Sequence, residues 1–248
     1  NVVIRLCDIE CCFAHSLSAD NSSRNTSFIK DLKDWSRIAK HIFIWDYAEN
    51  WRGFMTPYPN INALGSNIQT FMKYKVMGVF EGGQNLSYGS DFEELKSWLI
   101  GKLLWNPYQN TEFLARQFIK DYYGSSSQEI LQYYNLYNSL VKPDVHIGCR
   151  LKNESEFYND DFVKKAYPIM ERAEKAASDS VILERVKKVK LQVLASEYAL
   201  HPQNFYKSGK WLEFKTLVLK YNAYIKLGVG PEKFIPEFES VVKKRNGI

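Results

Sequence analysis

Ile42-Phe43-Ile44-Trp45-Asp46 is a run of four apolar residues that ends on a carboxylate, and the chain repeats this form on either side of it. Val2-Val3-Ile4-Arg5-Leu6-Cys7 runs into Asp8 and Glu10, and Val76-Met77-Gly78-Val79-Phe80 runs into Glu81. The three runs begin about 34 to 40 residues apart, so an amphipathic helix fits between each pair. Short runs rich in β-branched and aromatic residues, alternating with helical patterns, read as strands of a parallel sheet, because parallel strands need a crossover connection. Carboxylates at the C-terminal ends of successive parallel strands gather at one end of the sheet. In a barrel of βα units that end carries the active site. Three units do not close a barrel.

Outward from these runs, residues 2 to 10 are expected to form a buried strand, with Asp8 and Glu10 on one face and Cys7, Ile9 and Cys11 on the other. Residues 11 to 26 read as a polar loop. Ser27 is expected to cap a helix from Phe28 to about Lys40, with an apolar stripe of Phe28, Ile29, Leu32, Trp35 and Ile38. A long loop from Tyr47 to Ile61 follows the second strand, residues 42 to 45. Further helices are expected over 63 to 74 and 92 to 104, on either side of the third strand, residues 76 to 80. Gly82-Gly83, before Gln84, suits a sharp turn or a close backbone approach. Leu103-Leu104-Trp105-Asn106-Pro107 reads as a helix end with a proline stop. After Pro107 the strand signals cease. Helices are expected over 111 to 122, with Gly124 as C-cap, and over about 127 to 141, 160 to 178, 180 to 200, 208 to 226 and 231 to 244. The fold class is therefore α/β, with βα units over residues 1 to 109 and an α-helical domain over 110 to 248.

The chain has 248 residues, 45% of them hydrophobic and 25% charged, enough for a sizeable core. No apolar run reaches the length of a membrane span. Residues 1 to 109 carry 11 basic and 11 acidic residues, and the remainder 22 and 17, so the net charge of +5 belongs to the helical half. The dense basic groups there, Lys187, Lys188 and Lys190 with Lys243, Lys244 and Arg245, read as solvated helix faces; no nucleic-acid-reading motif accompanies them. An opening directly into a strand at Asn1 is read as the mark of a fragment.

Glycoside hydrolysis uses carboxyl groups as acid, base, nucleophile or positioning group, and Glu10, Asp46 and Glu81 are the catalytic candidates. The bland alternative for each acid is an ion pair with Arg5 or Arg52, or a helix cap. Aromatic faces stack on sugar rings, and Tyr47 and Trp51, with Tyr58, Asn50, Asp8 and His15, are the substrate-binding candidates. Trp45 is expected to face the opposite side from Asp46, into the core between barrel and helices. Cys7, Cys11, Cys12 and His15 have the spacing C-x3-C-C-x2-H, which lacks a second ligand pair; the cysteines read as buried small residues, and no metal is expected. No cofactor fingerprint, phosphate loop or G-x-S-x-G elbow occurs. Sequons stand at Asn21, Asn25, Asn85 and Asn153.

Arg5-Leu6-Cys7-Asp8-Ile9-Glu10-Cys11-Cys12-Phe13-Ala14-His15 resembles a signature of the bacterial domain-of-unknown-function family 4838, part of which is classified as glycoside hydrolase family 163. Ile44-Trp45-Asp46-Tyr47, Pro57-Tyr58-Pro59-Asn60, Gly78-Val79-Phe80-Glu81, Lys102 to Pro107 and Tyr122-Tyr123-Gly124 follow in that family's order. The resemblance covers roughly residues 1 to 125. It implies the last three βα units of a (β/α)8 TIM-type barrel, with the N-terminal barrel half elsewhere in the intact protein. It also implies an endo-β-N-acetylglucosaminidase acting on N-glycans, retaining, with the substrate's acetamido group as nucleophile. The acid/base pair is then expected on a strand upstream of Asn1, with Glu10, Asp46 and Glu81 orienting substrate. An oligosaccharide or glycoprotein glycan is the implied partner, and a secreted, periplasmic or cell-surface bacterial location is implied. The alternatives are a hydrolase of other sugars resembling α-glucuronidases, a non-catalytic glycan-binding protein on the same scaffold, and an inert structural piece. With the barrel open, the isolated chain is expected to be poorly soluble or to self-associate.

Overall fold

The computed structural model describes residues 2–51, 53–83, 88–150 and 158–221. Arg52, Gln84, the sequons at Asn85 and Asn153, the helix expected over 231 to 244 and the Lys243-Lys244-Arg245 group lie outside the described residues. Three parallel strands, β1 (Ile4–Cys7), β2 (Ile42–Tyr47) and β3 (Gly78–Gly82), form a sheet in the order β1-β2-β3. Helices α1 (Ser23–Ile38) and α2 (Ile61–Lys73) make the crossovers, and α3 (Glu93–Trp105) completes the third βα unit. A helical region follows: α4 (Thr111–Tyr123), a 3-10 turn at Gly124–Ser126, α5 (Ser127–Asn138), α6 (Asp160–Ala176), α7 (Ser180–Leu200), α8 (Pro202–Lys207) and α9 (Lys210–Tyr221). The architecture is thus α/β, an open three-stranded parallel sheet with its helices and then a run of helices.

In β2, Ile42 and Ile44 are buried while Phe43 between them is exposed. Side chains alternate along a strand, so one face of the sheet is covered and the other open. Arg5, Phe43, Trp45 and Phe80 share the open face: Arg5 pairs with Phe43 and Trp45 with Phe80 in register, and the Trp45 and Phe80 rings meet edge to face at 5.2 Å. Trp45 therefore does face away from Asp46, but toward the open side rather than into the core.

Several boundaries differ from the sequence reading. β1 stops at Cys7 because the Cys11 amide donates to the Asp8 carbonyl at 2.7 Å and turns the chain through Ile9 and Glu10. Glu10 is exposed in that turn, off the strand, and does not share a strand face with Asp8. Cys11 and Cys12 lie in the loop beyond. Helix α1 begins at Ser23 rather than Phe28: Ser22 is its cap and accepts from the Asn25 amide at 3.4 Å. Asn25 then points inward, fully buried, and clamps Cys12. Its Oδ1 accepts from the Cys12 amide at 2.8 Å and its Nδ2 donates to the Cys12 carbonyl at 3.2 Å. Trp35 and Ile38 of the expected α1 stripe are exposed. The helix expected over 208 to 226 is preceded by α8, which Pro202 opens at the first helical position. Gly124 closes α4 at φ +48° and ψ −116°, a positive-φ conformation that glycine adopts without a Cβ penalty.

One continuous apolar cluster runs from Cys11 to Val193, joining the βα units to α4, α5, α6 and α7. Helix α5 contributes Tyr133, Tyr134 and Tyr137, all fully buried around Phe92. Phe92 is held at φ +46°, a conformation costly for a bulky residue, at the foot of α3. Beside it lies a buried ionic hub. Lys96, 1% exposed, donates to Asp91 Oδ2 at 2.7 Å and to the carbonyls of Ala48 and Tyr58, each at 3.2 Å; Glu49 stands 3.6 Å away. The Tyr137 hydroxyl sits 2.6 Å from Asp91 Oδ2 and 2.5 Å from the Tyr58 carbonyl. Gln192 on α7, with its amide nitrogen turned toward the carboxylate, reaches Asp91 Oδ1 at 3.1 Å. Burial pushes the Glu49 carboxyl well up despite the neighbouring ammonium.

Removing one partner of a buried ion pair strands the other. Lys96→Met is expected to destabilise the chain by about 3–5 kcal/mol. Asp91→Asn should cost a similar amount, and the double variant less than the sum of the two, as read by urea denaturation. Additive losses would show that the two residues do not act as one unit.

Candidate functional site

The register places Cys7 opposite Trp45 and Asp46 opposite Glu81, so the next residue after Cys7, Asp8, falls beside Asp46. The Asp8 amide continues the ladder by donating to the Trp45 carbonyl at 3.4 Å. Asp8, Asp46 and Glu81 thus form one lateral row at the C-terminal ends of three neighbouring strands. Adjacent positions in such a row are about 4.8 Å apart. By alternation the row points to the face of Ile42 and Ile44, the covered one. Asp8 and Asp46 are buried, and Glu81 has both carboxylate oxygens out of solvent.

Among the described residues, neither oxygen of Asp8 nor of Glu81 meets a donor. Arg5 does not serve: its guanidinium stands over the Trp45 ring, 4.8 Å from the centroid, on the other face. Burial pushes the Asp8 carboxyl well above its ordinary range, and the charges of Asp46 and Glu81 push it further. Glu81 is raised well up by burial and then by Asp46. Asp46 is raised by burial, but the Asp8 carboxyl and the Tyr47 amide, which donates to Asp46 Oδ1 at 2.6 Å, both draw it back. Three carboxylates this close do not all ionise. Asp46, with two groups favouring its charge, is the carboxyl of the three most disposed to ionise, and Asp8 and Glu81 are the two most disposed to keep protons. The arrangement holds protons that an isolated carboxylate would release.

Aromatic side chains stand around the row. The Tyr47 ring stacks with Trp45 at 6.2 Å and meets Trp51 edge to face at 6.2 Å, and its hydroxyl lies 3.3 Å from Cys7 Sγ. Among the described residues, the buried indole nitrogens of Trp45 and Trp51 meet no acceptor. Gly82 permits this closeness, because a Cβ there would stand 3.0 Å from the Asp46 carbonyl oxygen and 3.4 Å from Trp45 Nε1. Tyr58 is fully buried, its hydroxyl without a partner among the described residues, and its phenol is pushed well up by burial and by the charges of Cys149, Asp46, Glu49 and Asp8. Asn50 is buried in the same loop.

The structure therefore brings together Asp8, Asp46, Glu81, Tyr47, Trp51 and Tyr58. It sets Glu10 apart in its exposed turn. His15 also stands apart: its Nδ1 lies 3.4 Å from Cys12 Sγ and its ring packs against His146 at 5.5 Å. Asp20 and His146, which the sequence reading did not single out, complete that second group. Asp20 was visible as an acid five residues past His15, whereas His146 comes from 131 residues further along and nothing local announces it.

The raised carboxylates carry a stability consequence. A carboxyl group whose folded pKa lies above its unfolded one favours the fold below the unfolded pKa, and that contribution is lost as pH rises through the folded pKa. Asp8→Asn removes the titration while keeping the shape. Its Tm is expected to exceed that of the parent at pH 8, with the difference shrinking toward pH 4. A difference independent of pH in thermal melts would contradict the row.

No curated protein and no solved structure matches the chain. The model of one family, described as Domain of unknown function (DUF4838), matches residues 1–135, which takes in all three strands, α1 to α4 and most of α5. That is more than half of the 248 residues, and the chain belongs to the DUF4838 family.

Proposed function

We propose that the chain is the C-terminal part of a (β/α)8 barrel glycoside hydrolase of the family-163 type, an endo-β-N-acetylglucosaminidase acting on N-glycans outside the bacterial cytoplasm. The observation that carries this reading is the row Asp8–Asp46–Glu81 at three adjacent strand ends, bordered by Tyr47 and Trp51. The sequential strand order supports the barrel. Right-handed crossovers that always step to the next strand put every helix on one face, as in a barrel, whereas a doubly wound sheet has helices on both. Phe43 and Phe80, 38% and 56% exposed on the open face, are then lumen residues that further strands would enclose.

In the substrate-assisted mechanism the acetamido oxygen of the sugar attacks the anomeric carbon while an acid protonates the departing glycosidic oxygen. Water then opens the cyclic intermediate with net retention. The acid/base pair is assigned to a strand outside these residues. The role of this chain is one wall of the subsite: Tyr47 and Trp51 stack on a sugar ring, and the anionic Asp46, buried behind them between protonated Asp8 and Glu81, supplies the field at the strand ends.

A second reading, glycan binding without hydrolysis, draws on a specific observation. The carboxylates point to the covered face, and the aromatic residues Trp45 and Phe80 to the open one. The two readings separate on a complex-type N-glycoprotein incubated with the full-length protein, with released glycans read by mass spectrometry. Hydrolysis is expected, and Asp46→Asn and Glu81→Gln should each lower kcat/KM by about 100-fold. Glycan retention without release would establish the binding reading, and unchanged kinetics in both variants would remove the row from the mechanism.

A further inference from the structure

We propose that Cys12, His15, Asp20 and His146 form a zinc site that ties the β1–α1 loop to the connection between α5 and α6. The proposal is independent of the hydrolase reading. One ligand atom from each of these four side chains lies within 4.8 Å of the others. A thiol, two imidazoles and a carboxylate are the donor set of a four-coordinate zinc site.

The distances are near those required. Zinc bonds of about 2.0–2.3 Å in a tetrahedron place donor atoms about 3.3–3.6 Å apart. Cys12 Sγ and His15 Nδ1 already stand 3.4 Å apart, and Asp20 Oδ2 and His146 Nδ1 3.8 Å apart. The remaining pairs also lie within 4.8 Å, and His146, 36% exposed, has room to turn toward the other ligands.

The surroundings orient the ligands as metal sites do. His15 Nε2 lies 3.1 Å from the Lys142 carbonyl, an oxygen that only accepts. The proton of the neutral ring therefore belongs on Nε2, and Nδ1 presents its lone pair to the cluster. The Ser22 hydroxyl donates to Asp20 Oδ2 at 2.6 Å and the Ser22 amide to Oδ1 at 3.0 Å. Asn25 fixes the Cys12 backbone on both sides. The Phe13 amide donates to the Ile147 carbonyl at 2.7 Å, which holds the two segments together. A cavity of about 840 Å³, lined by His15, Asp20 and His146 among others, opens beside the cluster and gives an ion its path in.

The spacing C-x3-C-C-x2-H argued against a metal only because the remaining ligands were out of view. The same loop supplies Asp20, and the fold delivers His146. With four protein ligands the site is closed and structural. Binding replaces the thiol proton of Cys12 with zinc and releases that proton to solvent.

The test uses the full chain, stripped with a chelator under a phosphine reductant. It is titrated with zinc against a chromophoric chelator, and in parallel with cobalt(II). One equivalent is expected to bind, with tetrahedral d–d bands, a thiolate-to-cobalt charge-transfer band and a zinc-dependent rise in Tm. Cys12→Ser should remove the charge-transfer band. His146→Ala, at a side chain the fold does not bury, should weaken zinc binding by about 100-fold and abolish the rise in Tm. Cobalt bound without the thiolate band, zinc affinity unchanged in His146→Ala, or no binding below millimolar zinc would each overturn the site.

Discussion

A single ammonium group inside the protein sets the shape of much of the rest. Lys96 reaches back from α3 to the carbonyls of Ala48 and Tyr58, the two ends of the loop that leaves β2. It draws them toward Asp91, which Tyr137 of α5 and Gln192 of α7 also engage. Asn60 adds a bond to the Ala48 carbonyl at 3.1 Å. The loop carrying Asn50, Trp51 and Tyr58 is therefore braced by the helical region, not merely covered by it. The left-handed backbone at Phe92 fits this view: a strained conformation persists only where the surroundings over-determine it. The buried hub lies against it.

The carboxylate row poses the opposite physical problem. The hub pairs Lys96 with Asp91, whereas among the described residues the row gives Asp8 and Glu81 no donor. Burying unpaired carboxyl groups costs free energy, and it is relieved by keeping protons on them. Such an arrangement adds nothing to stability at neutral pH, and natural proteins hold it where the chemistry of the group matters more than the fold. Its neighbours, the unpartnered indole nitrogens of Trp45 and Trp51 and the Tyr58 hydroxyl, make the strand ends rich in polar atoms awaiting partners.

How far the sequence reveals this depends on the element. The strands and most helices are legible because each carries its own period or its own breaker. The start of α1 is not, because Ser22 and Ser27 are both good caps, and the choice falls to Asn25, whose inward bonds to Cys12 are tertiary. The end of β1 is hidden for a similar reason: Ile9 and Glu10 alternate as a strand would, and only the Cys11–Asp8 turn removes Glu10 from the row. The pairing of Asp46 with Glu81 is readable from their equal places at strand ends. The face they take is not, since Ile42 to Trp45 is apolar or aromatic on both sides. The family is legible from motif order in the first half of the chain, where the match lies. His146 is invisible locally because the contact depends on how the α5–α6 connection packs.

The clamp between Asn25 and Cys12 also bears on how the protein is produced. Asn25 opens the sequon Asn25-Thr26-Ser27, yet both ends of its amide are spent on the Cys12 backbone, and no surface remains for a sugar. Glycosyl transfer in a eukaryotic secretory pathway acts on the chain before it folds. A glycan added there would wedge α1 away from the loop after β1 and block the native core. Expression in such a host selects against the folded product, whereas the exposed sequon at Asn21 tolerates modification. A bacterial host, or an Asn25 sequon disabled at the exposed Ser27, avoids the conflict.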